Sequence, residues 1–139
     1  MVAPTSDHII FVINNPSEFA LNILQTWGGE LNTETSSSFP INNRCRVTCL
    51  AYQLERGEDE GTPHVQGYLQ TNFKTDVYKL TDKLAEYFRV RPHVEPCKGS
   101  SDDNLAYVSK VDTRVAGTDP FVFGPPRAIA ARGGQGQRT

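Results

Sequence analysis

Two long strand-like segments, residues 45–55 and 64–73, follow one another along the chain with only a polar loop between them. The first, CRVTCLAYQLE, is rich in β-branched and apolar residues, and the second alternates in polarity. The loop, residues 56–63, contains two glycines and favours a hairpin connection. Because a short loop joins antiparallel neighbours, this pair predicts an antiparallel sheet.

A strand and a helix are predicted before this hairpin. Residues 8–14 form a short apolar run with several β-branched side chains, which is typical of a buried strand. A helix is predicted from Pro16 to Trp27, with Asn15 as its N-cap and Gly28-Gly29 as its end. Residues 30–43 are rich in Ser, Thr and Asn without a period, which predicts a long loop.

A helix and a strand are also predicted after the hairpin. Residues 76–88 carry apolar side chains at spacings of three and four, with Asp76 as the expected cap. Residues 91–98 form a short strand whose two prolines favour a sheet edge. A third helix is predicted from its cap at Ser101 to Val111, and residues 120–123 can add a last strand.

The resulting order, β-α-β-β-α-β followed by a helix, is the split βαβ pattern of ferredoxin-like α+β domains. We expect an antiparallel sheet of about five strands with helices packed on one face, and the polar face left for function. RNA-recognition motifs share this architecture, so the fold alone does not decide the chemistry. The 139 residues fit one domain, assigned to 1–123, and the Gly-, Pro- and Arg-rich residues 124–139 predict a flexible linker or tail.

Charge and cysteine content narrow the classes of protein. The net charge is −2, but residues 61–139 carry 11 basic and 8 acidic side chains, so a polyanion is expected to meet this later part. Three cysteines without a CxxC pair favour a reduced intracellular protein. No apolar run approaches the roughly 20 residues of a membrane span, so we expect no membrane partner.

A group of polar side chains with metal-binding chemistry is expected where the hairpin strands meet. His64 and Gln66 leave the same face of their strand, and the hairpin brings Glu55 opposite His64. Oxygen and nitrogen donors without a thiolate suit Mg²⁺ or Mn²⁺. The alternative is that His64 caps the loop and Glu55 is a solvated charge. His93 and Glu95, also two apart, are rival ligands, although their edge position favours a solvated or nucleic-acid-facing role.

Tyr107 and Lys110 are three residues apart and are expected as neighbours on the last helix. A phenol is a poor nucleophile near neutral pH, so Tyr107 would need an electrophile polarised by a metal, or a cation such as Lys110 nearby. The alternative is a half-buried tyrosine beside a solvated lysine. The sequence contains no P-loop and no local signature of a Ser or Cys nucleophile.

Three segments together resemble a known family. FVINNP at 11–16, GTPHVQGY at 61–68 and YVSK at 107–110 are similar, in order and spacing, to motifs I, II and III of the replication initiator (Rep) proteins of small circular single-stranded DNA viruses, circovirus-like branch. Glu55, nine residues before His64, and HVEPCKG at 93–99 add to the resemblance. It covers about residues 8–115 and indicates an HUH endonuclease domain.

The resemblance implies that Glu55, His64 and Gln66 hold the divalent metal, that Tyr107 is the nucleophile and that Lys110 positions or stabilises charge. The name HUH denotes two histidines around a hydrophobic residue, and Gln66 stands at the position of the second histidine. This departure bears on the affinity and choice of metal. Motif I also departs, since Val12-Ile13 replaces the usual Thr-Leu pair. Full-length relatives continue into a helicase domain, so we expect that domain in the full-length protein.

From this resemblance we expect metal-dependent nicking and joining of single-stranded DNA at a replication origin through a 5′-phosphotyrosine, in the host nucleus, with no small-molecule substrate. Tyr68 is expected to stack on a base, with burial under the third helix as the alternative. Asn14 and Asn15 are candidate DNA contacts, although Asn15 can equally cap a helix. The rival function is a non-catalytic module that binds single-stranded nucleic acid, but the first strand lacks the aromatic platform of RNA-recognition motifs.

Overall fold

The computed structural model of the chain describes residues 4–31, 40–42, 44–56 and 62–131, and the side chains of 30 and 31 lie outside this description. Most of the predicted loop at 30–43, the middle of the loop at 56–63 and residues 132–139 therefore lie outside the described residues. The elements follow in the order β1 (Thr5–Asn14), α1 (Glu18–Leu31), β2 (Val47–Glu55), β3 (His64–Asp76), α2 (Val77–Phe88), β4 (His93–Pro96), α3 (Ser101–Tyr107) and β5 (Phe121–Phe123).

The five strands form one sheet in the order β4-β1-β3-β2-β5, and every neighbouring pair is antiparallel. This confirms the predicted α+β class and the split βαβ topology, with the proline-containing β4 at one edge. The short β5 extends the other edge. β2 and β3 are neighbours in register from Leu50 opposite Leu69 to Glu55 opposite His64, as the hairpin prediction required.

The main hydrophobic core lies on one side of the sheet, which we term the core face, where α1 and α2 pack. Phe11 of β1 is fully buried and stacks on Phe88 of α2 with ring centroids 6.1 Å apart, and Trp27 of α1 lies 5.2 Å from the same ring. Gly67 of β3 pairs with Phe11 and leaves room for its ring, because a Cβ there would lie 2.2 Å from Phe11 Cζ.

The predicted bounds of the first helix are wrong at both ends. Asn15 has a left-handed φ of 49° and its N–H donates to the carbonyl of Pro63, so it is not the cap. Ser17 takes that role, because its Oγ accepts from the N–H of Ala20 at 3.1 Å. At the other end, α1 continues through Gly28, whose missing Cβ admits the ring of Phe123. This glycine serves close packing rather than chain termination.

The opposite surface, which we term the polar face, carries Gln53, Glu55, His64, Gln66 and Gln70. Helices were predicted on the other face alone, but the polar face is partly covered as well. α3 covers part of it, where Leu105 and Val108 pack with Tyr68, Ala51 and Cys97. Ser100, not Ser101, caps α3 through a capping box with Asp103. The helix ends at Tyr107 rather than at Val111.

Residues 124–131, which we term the C-terminal strap, also lie on the polar face. The Gln70 amide accepts from the N–H of Arg127 and donates to its carbonyl, both at 2.8 Å. Ile129 exchanges backbone and side-chain hydrogen bonds with Ser101 at the start of α3. Residues 124–131 thus make specific contacts with the polar face, while the division into a domain at 1–123 and a flexible tail at 124–139 stays a prediction.

The three cysteines, Cys45, Cys49 and Cys97, are free and buried. In the ranges that the structure describes, no helix combines the length and apolar character that crossing a membrane requires.

Candidate functional site

The candidate site begins where β2 and β3 end side by side. Glu55 and His64 are direct cross-strand partners, and Glu55 Oε1 lies 3.3 Å from His64 Nε2. The Glu55 side chain is 4% exposed, whereas that of His64 is 23% exposed. A carboxylate and an imidazole thus meet at the rim of the polar face, with the histidine open to solvent. Of the two sequence interpretations, the structure favours the pair over a solvated Glu55.

Gln66 lies on the same face as His64 and one row further along the strand. Its cross-strand partners are Gln53 on β2 and Val12 on β1, and it is buried. Diagonal neighbours in an antiparallel pair have Cα atoms about 7–8 Å apart, a span that the long side chains of Gln66 and Glu55 can bridge. The three predicted ligands therefore share one corner of the polar face.

The donor set fits a hard divalent cation. Nowhere in the described parts of the chain do three His, Cys, Asp or Glu side chains gather as a metal-binding group. Among the described residues, the Gln66 amide can supply an uncharged oxygen as a third donor beside Glu55 and His64. A carboxylate, an imidazole and an amide suit Mg²⁺ or Mn²⁺ better than a structural zinc site.

A buried glutamine connects this corner to the chain that follows α3. Gln53 Nε2 donates to Glu55 Oε2 at 2.8 Å and to the carbonyl of Lys110 at 2.9 Å. Its Oε1 accepts from Arg114 Nε at 3.0 Å. The backbone of Arg114 forms an antiparallel bridge with Glu55, and Thr113 and Val115 bond to Arg56 and Leu54, so residues 113–115 run alongside the end of β2.

Tyr107 is the last residue of α3 and its side chain is 46% exposed. Lys110 was predicted to lie on the helix, but it follows the end of α3. Its Nζ nevertheless lies 4.1 Å from the centroid of the Tyr107 ring. Among the residues that the structure describes, none hydrogen-bonds the Tyr107 hydroxyl. The next residue, Val108, is buried against the polar face and anchors this end of α3. The Tyr107 side chain is thus exposed to solvent, while the buried Val108 next to it holds the backbone in place.

Tyr68 cannot stack on a base, because it is fully buried under α3. Its hydroxyl lies 2.8 Å from His8 Nδ1 and accepts from Gln70 Nε2 at 2.9 Å. Burial raises its pKa above the ordinary value of a tyrosine. Of the two roles that the sequence left open, the structure shows the packing role. Asn14 and Asn15 are exposed beside His64, which pairs with Asn14.

His93 and Glu95, the rival ligands, lie at the sheet edge and bind each other, with 2.7 Å between Nε2 and Oε2. Val12 of β1 stands between His93 and Gln66 in the same row of the sheet. Two strand spacings, about 10 Å, therefore separate His93 from Gln66. The ranking of this pair below Glu55, His64 and Gln66 stays a prediction.

Sequence analysis did not single out Gln53 or Arg114. A signal for Gln53 exists, because it precedes Glu55 by two residues on the same strand and must share its face. Arg114 lies in an irregular segment without periodicity, so only the folded chain brings it to Gln53.

Comparison with known proteins assigns the sequence to a family. Residues 6–111 match the family model described as "Putative viral replication protein". The master replication protein of banana bunchy top virus is 37% identical over 93 residues, which are 62% of this chain and 30% of that protein. The replication-associated protein of porcine circovirus 1 is 32% identical over 101 residues, 73% of this chain and 26% of that protein.

A third relative, Para-Rep C1 of the faba bean necrotic yellows C1 alphasatellite, is 34% identical over 94 residues, 68% of this chain and 30% of that protein. The chain spans about a third or less of the length of these relatives. The matched region contains all three motifs on which the sequence resemblance rests, and that resemblance is confirmed. The chain belongs to the viral replication protein family.

Proposed function

We propose that this domain acts in viral DNA replication by nicking and rejoining single-stranded DNA at the origin. The observation that carries the proposal is the shared corner of the polar face, where Glu55 meets His64 and is tied through Gln53 to the segment that follows Tyr107. Metal-binding chemistry and an accessible phenol are thereby held in one part of the molecule. Family membership agrees with this function.

In the proposal, Glu55, His64 and Gln66 would hold Mg²⁺ or Mn²⁺ with their carboxylate, imidazole and amide groups. When bound, the cation would orient the scissile phosphate and offset its growing negative charge. The low exposure of Glu55 keeps bulk water from competing for the carboxylate.

Tyr107 acts as the nucleophile. Its hydroxyl oxygen loses a proton and forms a bond to phosphorus, while the bond from phosphorus to the 3′ oxygen breaks. The 3′ oxygen takes up a proton and leaves as a 3′ hydroxyl, so that one proton passes overall from the phenol to the leaving oxygen. The product is a 5′-phosphotyrosine. Lys110 places a positive charge beside the tyrosine and the attacked phosphate. Because the phosphodiester is exchanged rather than hydrolysed, a later 3′ hydroxyl can reverse the step and join the strand without ATP.

The substrate is an unpaired strand that reaches the corner at the end of β2 and β3. Asn14 and Asn15, exposed at the end of β1 beside His64, are proposed DNA contacts. The remaining proposals follow from the family: the full-length protein carries a helicase domain, works in the host nucleus and uses no small-molecule substrate.

The test is a search for the covalent intermediate. The protein is incubated with single-stranded origin DNA and Mn²⁺, and a denaturing gel is read for a protein band shifted by the attached DNA. We expect the adduct with wild type, its loss when EDTA removes the metal, and its loss in Tyr107→Phe. Because this substitution removes one oxygen from an exposed side chain, folding and DNA binding should be unchanged.

An adduct that persists in Tyr107→Phe would assign the nucleophile to another residue, with the exposed Tyr78 the next to test. DNA binding without any adduct in wild type would favour the rival, a non-catalytic single-strand binding module. The structure offers that rival little support, because the tyrosine of the polar face is buried rather than exposed as a stacking platform.

A further inference from the structure

Gln53 is a fully buried side chain in which all the hydrogen-bonding capacity of the amide nitrogen is used. Its two N–H groups serve two acceptors, Glu55 Oε2 and the carbonyl of Lys110. The first acceptor belongs to a predicted metal ligand. The second lies three residues after the predicted nucleophile. One amide thus contacts both Glu55 and the segment that follows Tyr107.

Arg114 fixes which way this amide points. Arg114 Nε donates to Gln53 Oε1 at 3.0 Å, and its terminal nitrogen donates to the carbonyl of Ser109 at 2.8 Å. Because a guanidinium only donates, it selects the oxygen end of the amide and directs the nitrogen end toward Glu55. Arg114 also clamps Ser109, the residue before Lys110. The pair therefore fastens residues 109–110 to the end of β2.

The hydrogen bond to Glu55 has a directional consequence. It engages Oε2, whereas Oε1 is the atom that lies 3.3 Å from His64 Nε2. The carboxylate therefore cannot rotate without losing its bond to Gln53, and one oxygen stays directed at the corner where His64 lies. Groups that orient metal ligands in this way typically contribute 10- to 100-fold to metal affinity or activity.

We infer that Gln53, held by Arg114, is a positioning residue that sets the Glu55 carboxylate for the metal and the Tyr107 segment for attack. This inference rests on the proposed function. Gln53 touches neither the metal nor DNA in this role and acts through Glu55 and Lys110. It predicts two separable effects, one on metal affinity and one on the rate of adduct formation when metal is saturating.

The test compares two buried glutamines. Gln53→Leu removes the three hydrogen bonds at similar volume. Gln70→Leu is the matched control, since Gln70 is also fully buried on the polar face and also makes three hydrogen bonds, to Tyr68 and the Arg127 backbone. Mn²⁺ affinity is measured by electron paramagnetic resonance without DNA, thermal stability by circular dichroism, and adduct rate on origin DNA at saturating Mn²⁺.

We expect both variants to lose stability, but only Gln53→Leu to lose Mn²⁺ affinity, by about 10-fold or more. Its adduct rate at saturating Mn²⁺ should also fall by about 10-fold or more, while Gln70→Leu keeps the wild-type values. If Gln53→Leu does not fold, Arg114→Leu decides, because it frees the amide without emptying the space that Gln53 fills. It should weaken Mn²⁺ binding severalfold, and Arg114→Lys should restore most of it by donating to Oε1.

Mn²⁺ affinity within twofold of wild type in Gln53→Leu, or in Arg114→Leu where that variant decides, would overturn the inference while leaving the proposed function intact. Equal losses in Gln53→Leu and Gln70→Leu would also overturn it, because they would reflect general destabilisation. A wild-type protein that neither binds Mn²⁺ nor forms the adduct would overturn the proposed function, and this inference with it.

Discussion

Gln66 is the neutral third donor of the proposed metal site, and ligand chemistry predicts the effect of changing it. An amide oxygen is a harder and weaker ligand than an imidazole nitrogen. Gln66→His should therefore tighten the binding of Mn²⁺, Co²⁺ and Zn²⁺ more than that of Mg²⁺. Metal titrations on wild type and variant measure the ranking. Activity need not rise, because tighter coordination can misplace the phosphate.

Gln66→Ala is the complementary variant. Loss of the amide oxygen should weaken Mn²⁺ binding if Gln66 is a ligand. Unchanged Mn²⁺ affinity in Gln66→Ala would exclude Gln66 from the site and move the third position to another donor, with His93 or Glu95 the next candidates. Their mutual contact at 2.7 Å would then have to break before either could reach the corner.

Two glycines with opposite surroundings give a prediction about stability. A Cβ at Gly67 would lie 2.2 Å from Phe11 Cζ, whereas a Cβ at Gly29 in α1 would meet nothing within 4 Å. Gly67→Ala should therefore lower the free energy of unfolding by about 1–3 kcal/mol through overpacking. Gly29→Ala should raise it by up to about 1 kcal/mol, because alanine is the better helix former.

Chemical denaturation of the two alanine variants measures both changes. A Gly67→Ala protein as stable as wild type would show that the Phe11 ring can move aside at no cost. The contact with Phe88 would then be looser than its buried position indicates.

At the scale of single elements, the sequence predicted what local chemistry determines. Asp76 caps α2 as expected, accepting from the N–H groups of Tyr78 and Lys79 at 2.8 and 3.1 Å. The edge position of β4 follows from its prolines. The opposed Glu55 and His64 follow from the hairpin, because a strand period and one loop fix which residues face each other.

The features that the sequence did not predict, such as where α1 and α3 end, depend on contacts between residues far apart in the chain. Gly28 was predicted to end the first helix, but it lies within α1. It packs against the ring of Phe123, nearly a hundred residues away, which occupies the space that a side chain would need. α3 ends at Tyr107, and residues 113–115 then pair with the end of β2. Neither Phe123 nor Arg114 is detectable from the neighbours of Gly28 or Gln53 in the sequence.

The C-terminal strap gives the prediction at this scale. Ending the chain after Gly124 removes the backbone partners of the fully buried Gln70 amide and of Ser101. An orphaned buried polar group costs about 1–3 kcal/mol, so the free energy of unfolding should fall by at least that amount. A chain that ends after Ala131 keeps all these contacts and is the control.

Arg127→Ala separates backbone from side chain in the strap. It removes the partly exposed ion pair with Asp7 and a bond to the carbonyl of Thr71, but keeps the peptide groups that Gln70 binds. Its effect should be smaller than that of the truncation. Thermal melts of the three proteins measure the order. Equal stability of the chains ending at 124 and 131 would show that the strap contributes nothing to folding.

At the scale of the whole molecule, other parts of the chain pack on both faces of the sheet, but they cover the two faces to different degrees. α1 and α2 bury the core face, while α3 and the strap cover part of the polar face and leave His64 and the edge pair of His93 and Glu95 in contact with solvent. The corner of Glu55 and His64 lies at one end of the sheet, where β2 ends and β3 begins. That the site lies on the polar face stays a prediction, and how much of this face is covered depends on α3 and the strap, whose positions no local pattern encodes.

Burial on both faces also makes the stability of the fold depend on alkaline pH. Burial raises the pKa of the Cys49 thiol to about 11, of the Cys97 thiol to about 12 and of the Tyr52 phenol to about 12. In the unfolded chain these groups titrate near 9 and 10. Between the two sets of values the folded protein binds more protons than the unfolded one, so stability falls as pH rises.

We therefore expect a melting temperature that does not respond to these groups up to about pH 8 and falls from pH 9 to 11, each group lowering the free energy of unfolding by up to about 1.4 kcal/mol per pH unit. Cys97→Ala removes one such group. It should melt lower than wild type at pH 7, because a buried sulfur is lost, but lose less between pH 9 and 11. Melts at pH 7, 9, 10 and 11 measure both curves. Parallel curves would mean that the Cys97 thiolate is tolerated in the fold, and hence that the cover of α3 over the polar face opens to water well below the unfolding transition.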